Sequence, residues 1–129
     1  MIYLDTSVVI AHLFGETLHP RETLWDETGL ISSRLLEYEV WVRVNGRGLG
    51  GSRGEAARTL LDRVFFVEFT PAVLARALDP FPTAVRTLGA LHLASIEFLR
   101  AEKQSVRLAS YDARMIAAAK ALKIPLATL

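Results

Sequence analysis

Three acidic side chains, Asp5, Glu39 and Asp112, stand at positions from which an α/β chain can do carboxylate chemistry. Asp5 follows the apolar run Ile2-Tyr3-Leu4 and precedes the helical pattern of Val8, Val9 and Ile10, which puts it at the carboxyl end of a first strand. Asp112 repeats the situation between Leu108-Ala109-Ser110-Tyr111 and Ala113-Arg114-Met115-Ile116. An Asp in either place also reads as a helix N-cap, because its side chain can accept from the free N–H groups of the first turn. Glu39 shares a helix face with Leu35, Leu36 and Val42, so it projects toward the buried side, whereas Glu37 and Trp41 lie about 160° away on either side and face outward. An inward Glu needs a partner, and a buried salt bridge to Arg43 or another Arg is the alternative to a ligand role.

Carboxylates brought together from two strand ends and a helix repel one another and raise their own pKa values unless a cation neutralises them. Magnesium is the hard, oxygen-preferring cation that suits such a cluster. Ser7 and Ser110 each lie two residues from an Asp, where a hydroxyl can orient the carboxylate or hold metal-bound water. The alternative for both is local hydrogen bonding to the backbone of a turn.

These positions require a scaffold, and the pattern supplies one. Strands are predicted at Ile2 to Leu4, Leu30 to Ser32, Phe65 to Phe69 and Arg107 to Ser110, with a possible fifth at Pro125 to Thr128. Helices are predicted at Ser7 to Phe14, Ser33 to Val44, Glu55 to Arg63, Ala72 to Leu78, Leu88 to Ala101 and Ala113 to Leu122. Ser52 and Glu55 have capping-box spacing, and the glycine-rich run from Asn45 to Ser52 reads as the loop before that helix. Alternating strands and helices imply a three-layer α/β/α fold with a central, mainly parallel sheet of four or five strands. In such folds the chemistry collects at the carboxyl ends of the strands.

The 129 residues are the size of one domain, and a 51% hydrophobic composition is ample for a buried core. The absence of cysteine excludes disulfides and thiolate zinc sites and fits a reducing cytoplasm. No positively charged leader and no membrane-length apolar run precede or interrupt the pattern, so a soluble chain without membrane attachment is expected. Net charge is only +1, but Arg supplies 12 of the 15 basic residues, and its planar fork suits phosphate. Arg43, Arg47 and Arg53, around the glycine-rich stretch, are the best candidates to contact the phosphates of a nucleic acid, if one is bound; an ordinary solvated surface is the alternative.

Four segments together, Tyr3-Leu4-Asp5-Thr6-Ser7, Ser33-Arg34-Leu35-Leu36-Glu37-Tyr38-Glu39, Arg86-Thr87-Leu88-Gly89-Ala90-Leu91-His92-Leu93-Ala94 and Ser110-Tyr111-Asp112-Ala113-Arg114, resemble the VapC-type PIN-domain toxins in order and spacing. The resemblance runs nearly end to end and implies a single PIN domain over residues 1–129. It further implies a cytoplasmic endoribonuclease that uses Mg²⁺ or Mn²⁺, is restrained by a cognate VapB-type antitoxin, and forms a homodimer or a heteromeric complex. Asp5, Glu39 and Asp112 match the family's acids. Gly89 stands where the family usually carries a further Asp, and neither Glu97, two turns on, nor His92 is expected to replace it; His92 reads as a packed or hydrogen-bonded residue. Removal of one acid is expected to impair metal binding and rate, and a catalytically silent domain that binds RNA or an antitoxin is the alternative reading.

Overall fold

A computed structural model describes all 129 residues. Four strands form one parallel sheet: β1 (Ile2–Leu4), β2 (Leu30–Ser33), β3 (Phe65–Val67) and β4 (Arg107–Ala109), in the order β3-β2-β1-β4. Six helices connect them: α1 (Thr6–Leu13), α2 (Arg34–Gly46), α3 (Gly50–Leu61), α4 (Pro71–Leu78), α5 (Thr87–Ala101) and α6 (Ala113–Ala121). The expected α/β/α layering is therefore present, with four strands. The possible fifth strand is reduced to a single bridge of Leu126 to Leu108, held by Leu108 N–H to Pro125 O and Ala127 N–H to Leu108 O, each 2.8 Å.

The period of two along each strand divides the core. Ile2, Leu4, Leu30 and Ala109 face one layer with Val8, Val9, Leu36, Val40 and Leu61. Tyr3, Ile31 and Leu108 face the other layer, with Leu93, Ile96, Leu99, Met115 and Ala118. Because consecutive strands step one way from β1 to β3 and β4 then returns to the far side of β1, the chain direction switches between β1 and β4. That is the place where an open α/β sheet leaves a crevice at its carboxyl edge.

Four local expectations need correction. Asn45 to Ser52 is mostly helix: α2 runs on to Gly46 and α3 starts at Gly50, leaving only Arg47, Gly48 and Leu49 between them. Ser52 consequently lies inside α3, where its Oγ donates to Leu49 O at 3.4 Å, and it caps nothing. Of the helical glycines in α3, Gly54 lies against α2, where a Cβ would make ordinary contact with the Trp41 ring at 3.6 Å. On α2 the fully buried stripe is Leu36, Val40 and Val44, spaced four residues apart, and Val42, expected to be inward, is 49% exposed. Trp41, expected to face out, is half-buried with the Arg58 guanidinium 5.1 Å above its ring.

Gly48 sits at φ +66°, the left-handed turn that ends α2, while Gly51 lies in the first turn of α3 with open space around its Cα. Gly51→Ala is expected to raise stability by about 0.5 kcal/mol by restricting the unfolded chain, and Gly48→Ala to lower it by about 1 kcal/mol through strain at positive φ. Urea unfolding of the two variants checks the opposite signs.

Candidate active site at the carboxyl edge of the sheet

Asp5 leaves β1 with its N–H bonded to Ala109 O at 3.0 Å, so the register of β1 against β4 fixes where its carboxylate lies. Although its backbone has N-cap geometry, the side chain makes no cap bond. Its Oδ2 instead accepts from Ser7 Oγ at 2.6 Å and Ser110 Oγ at 2.8 Å. Each serine also accepts a backbone N–H from the turn after β4: Tyr111 N–H to Ser7 at 3.0 Å and Asp112 N–H to Ser110 at 3.0 Å. The two roles foreseen for these hydroxyls, orienting a carboxylate and satisfying a turn, are carried out together.

Glu39 reaches the same edge from the flank of the buried stripe of α2. Its partner is not an arginine: Oε1 accepts from Thr6 Oγ1 at 2.9 Å and from His92 Nε2 at 2.7 Å. His92, on α5, is buried, with Nδ1 2.8 Å from Tyr3 Oη and Nε2 4.0 Å from Asp5 Oδ1. Tyr3 Oη in turn accepts the Ser33 N–H at 3.2 Å, which ties this chain of contacts to the end of β2. Burial of the ring disfavours its cation, but the Tyr3 oxygen, the Glu39 hydrogen bond and the Asp5 and Glu39 charges outweigh that cost and raise its pKa to about 10. The expectation of a buried, hydrogen-bonded histidine holds, with the added feature that it lies between two carboxylates.

Asp112 realises the cap alternative. Its Oδ1 accepts from Arg114 N–H at 2.8 Å and Met115 N–H at 3.1 Å, and it opens α6. Each of the three carboxylates thus has one oxygen held by the protein, while Asp5 Oδ1, Glu39 Oε2 and Asp112 Oδ2 accept no hydrogen bond from it.

All three line a cleft made of two adjoining cavities of about 280 and 310 Å³, and both cavities share Asp5, Glu39, Arg43 and Asp112. Gly89, the third residue of α5, is on the wall of the first, where a Cβ would come within 3.3 Å of the Met115 thioether sulfur. Glu97 pairs with Arg100 at 3.4 Å and lines neither cavity. Of the arginines singled out from the sequence, only Arg43 lines the cleft. Arg47 lies 4.2 Å over the Phe14 ring, and Arg53 lies on α3 and lines neither cavity. Arg86 and Arg114 were missed, as were Tyr3 and Thr6; the signal for the two arginines was their place in or beside the helix turns that carry Gly89 and Asp112.

The donor set is hard oxygen, which magnesium prefers, but its arrangement does not fit an ion as it stands. No three Asp, Glu or His side chains are placed to hold one together, and the position between Asp5 and Glu39 is taken by His92.

The raised pKa of His92 fixes the sign of a pH effect. The folded value of about 10 lies above the ordinary 6.5, so the stabilisation is fully present below about pH 6.5 and drains away as pH rises through about 10. In metal-free buffer the urea midpoint is expected to fall between pH 7 and 10. His92→Gln is expected to cost about 3 kcal/mol at pH 7 and to flatten that alkaline decline. Unfolding curves for both chains across that range measure both effects.

The chain matches the family model described as PIN domain over residues 2–129. No curated protein and no solved structure matches it. PIN domains are generally metal-dependent nucleases, and their usual cofactors are divalent cations. With nearly the whole length matched, and with a parallel sheet flanked by helices beneath an acidic cleft, the chain belongs to the PIN domain family.

Proposed function

We propose that this chain is the toxin component of a VapBC-type toxin–antitoxin pair, a single PIN domain working in the cytoplasm on an RNA substrate. Its scaffold is that of a Mg²⁺- or Mn²⁺-dependent endoribonuclease, left one acidic ligand short at Gly89. The observation that carries this reading is the meeting of Asp5, Glu39 and Asp112 in one cleft with Gly89 on its wall. A divalent cation held by Asp5, Glu39 and Asp112 together with a restored acid at position 89 would supply the Lewis acidity that phosphodiester hydrolysis needs. The chain's own groups hold the acids in position: Ser7 and Ser110 fix Asp5, Thr6 and His92 fix Glu39, and the first turn of α6 fixes Asp112. A cognate VapB-type antitoxin and a second copy of the chain are the partners we propose, and the exposed apolar side chains Leu74 and Leu78 on α4 support a partnered surface.

Restoration tests the proposal. An Asp at position 89 meets only the flexible end of Met115, and in the first turn of α5 its charge lies favourably against the helix dipole. Gly89→Asp is therefore expected to fold, and to cleave RNA in Mn²⁺ on the order of 100-fold or more faster than the unaltered chain. A quenched fluorescent RNA with Mn²⁺ or with EDTA provides the assay, and growth arrest on expression provides its cellular counterpart. If both chains bind RNA and neither cleaves it, the second reading holds, a catalytically silent domain that grips RNA. The observation favouring that reading is the engagement of Glu39 by His92.

A further inference from the structure

The two cavities of the cleft share their acids but differ in cations. The one bearing Gly89 is lined by Arg43, Arg86 and Arg114 beside Asp5, Glu39 and Asp112. The other has only Arg43 and adds a fourth acid, Glu16. None of the three arginines makes a salt bridge, although the carboxylates line the same space, so their donors are free for a ligand. Beside them the first turn of α5 has no side-chain cap, and Gly89 carries no side chain of its own, with the Met115 thioether against that position. An anion there meets three guanidinium groups without a carboxylate partner, in a lining that also carries Asp5, Glu39 and Asp112, each with one oxygen that no protein donor holds.

Resting on the RNA-directed reading above, we infer that the Gly89 cavity binds one phosphate of a single-stranded RNA directly through Arg43, Arg86 and Arg114, with no metal ion bridging it to the acids. Loss of the fourth carboxylate turns this side of the cleft from cation-seeking to phosphate-seeking.

The experiment is fluorescence anisotropy of a labelled eight-nucleotide single-stranded RNA titrated with the full chain, in EDTA and in Mn²⁺. Binding is expected to be equal within about twofold in the two buffers. Arg86→Ala and Arg114→Ala are each expected to weaken it about tenfold, against a small change for Arg107→Ala, an exposed arginine at the opposite edge of the sheet. Gly89→Asp is expected to weaken binding in EDTA and to make it dependent on Mn²⁺. If the unaltered chain binds RNA only with Mn²⁺, or if Arg107→Ala costs as much as the other two, the phosphate site is overturned while the nuclease reading stands. If inorganic phosphate or a mononucleotide binds as tightly as the oligonucleotide, the cavity serves a small ligand and the RNA assignment is overturned. No binding of RNA by any variant in either buffer sinks the RNA-directed reading with it.

Discussion

A buried imidazole between two carboxylates is the constraint around which the rest of this molecule is arranged. His92 binds Glu39 at 2.7 Å and lies 4.0 Å from Asp5, while its other nitrogen rests on the Tyr3 hydroxyl, itself anchored by the Ser33 N–H. Those contacts join β1, the end of β2, α2 and α5 at one point. A carboxylate pair at the edge of a sheet is unstable without a positive charge, and burial alone would drive the imidazole to its neutral form. The charges prevail over burial, and the cleft therefore carries its own counter-charge.

The strand order explains why these groups meet. β1 lies between β2 and β4, so residues that follow three different strands converge although more than a hundred positions separate Asp5 from Asp112. Ser7 and Ser110 then join the two turns, since both donate to one oxygen of Asp5 and both accept a backbone N–H from the segment after β4. The polar edge is thereby built from ordinary turn chemistry with no buried carboxylate left unpaired. At Gly89 the wall carries no side chain of its own, and Arg86 and Arg114 line the same cavity.

Much of this was readable in the primary structure, for identifiable reasons. Apolar runs of three or four residues set against amphipathic helices were enough for the layers, and an Asp immediately after a strand was enough to place Asp5 and Asp112 at the edge. Three things were not legible. Gly50, Gly51 and Gly54 are helical although glycine disfavours a helix, and of the three only Gly54 lies against Trp41. The partner of Glu39, expected to be Arg43 or another arginine, is His92 of α5, and helix periodicity carries no information about which neighbour packs against a face. The glycine-rich stretch beside Arg47 and Arg53 is largely helix and those two arginines line neither cavity, whereas Arg86 and Arg114, with no such local mark, do line one.

His92, seated between Asp5 and Glu39, supplies the counter-charge of the cleft in this chain without a metal ion. Anomalous diffraction at the manganese edge, from crystals of the unaltered chain soaked in Mn²⁺, examines that directly. The expected map shows no manganese shared by Asp5, Glu39 and Asp112, with the His92 ring still seated between the first two. A manganese peak coordinated by all three carboxylates, with the imidazole displaced from Glu39, would contradict it.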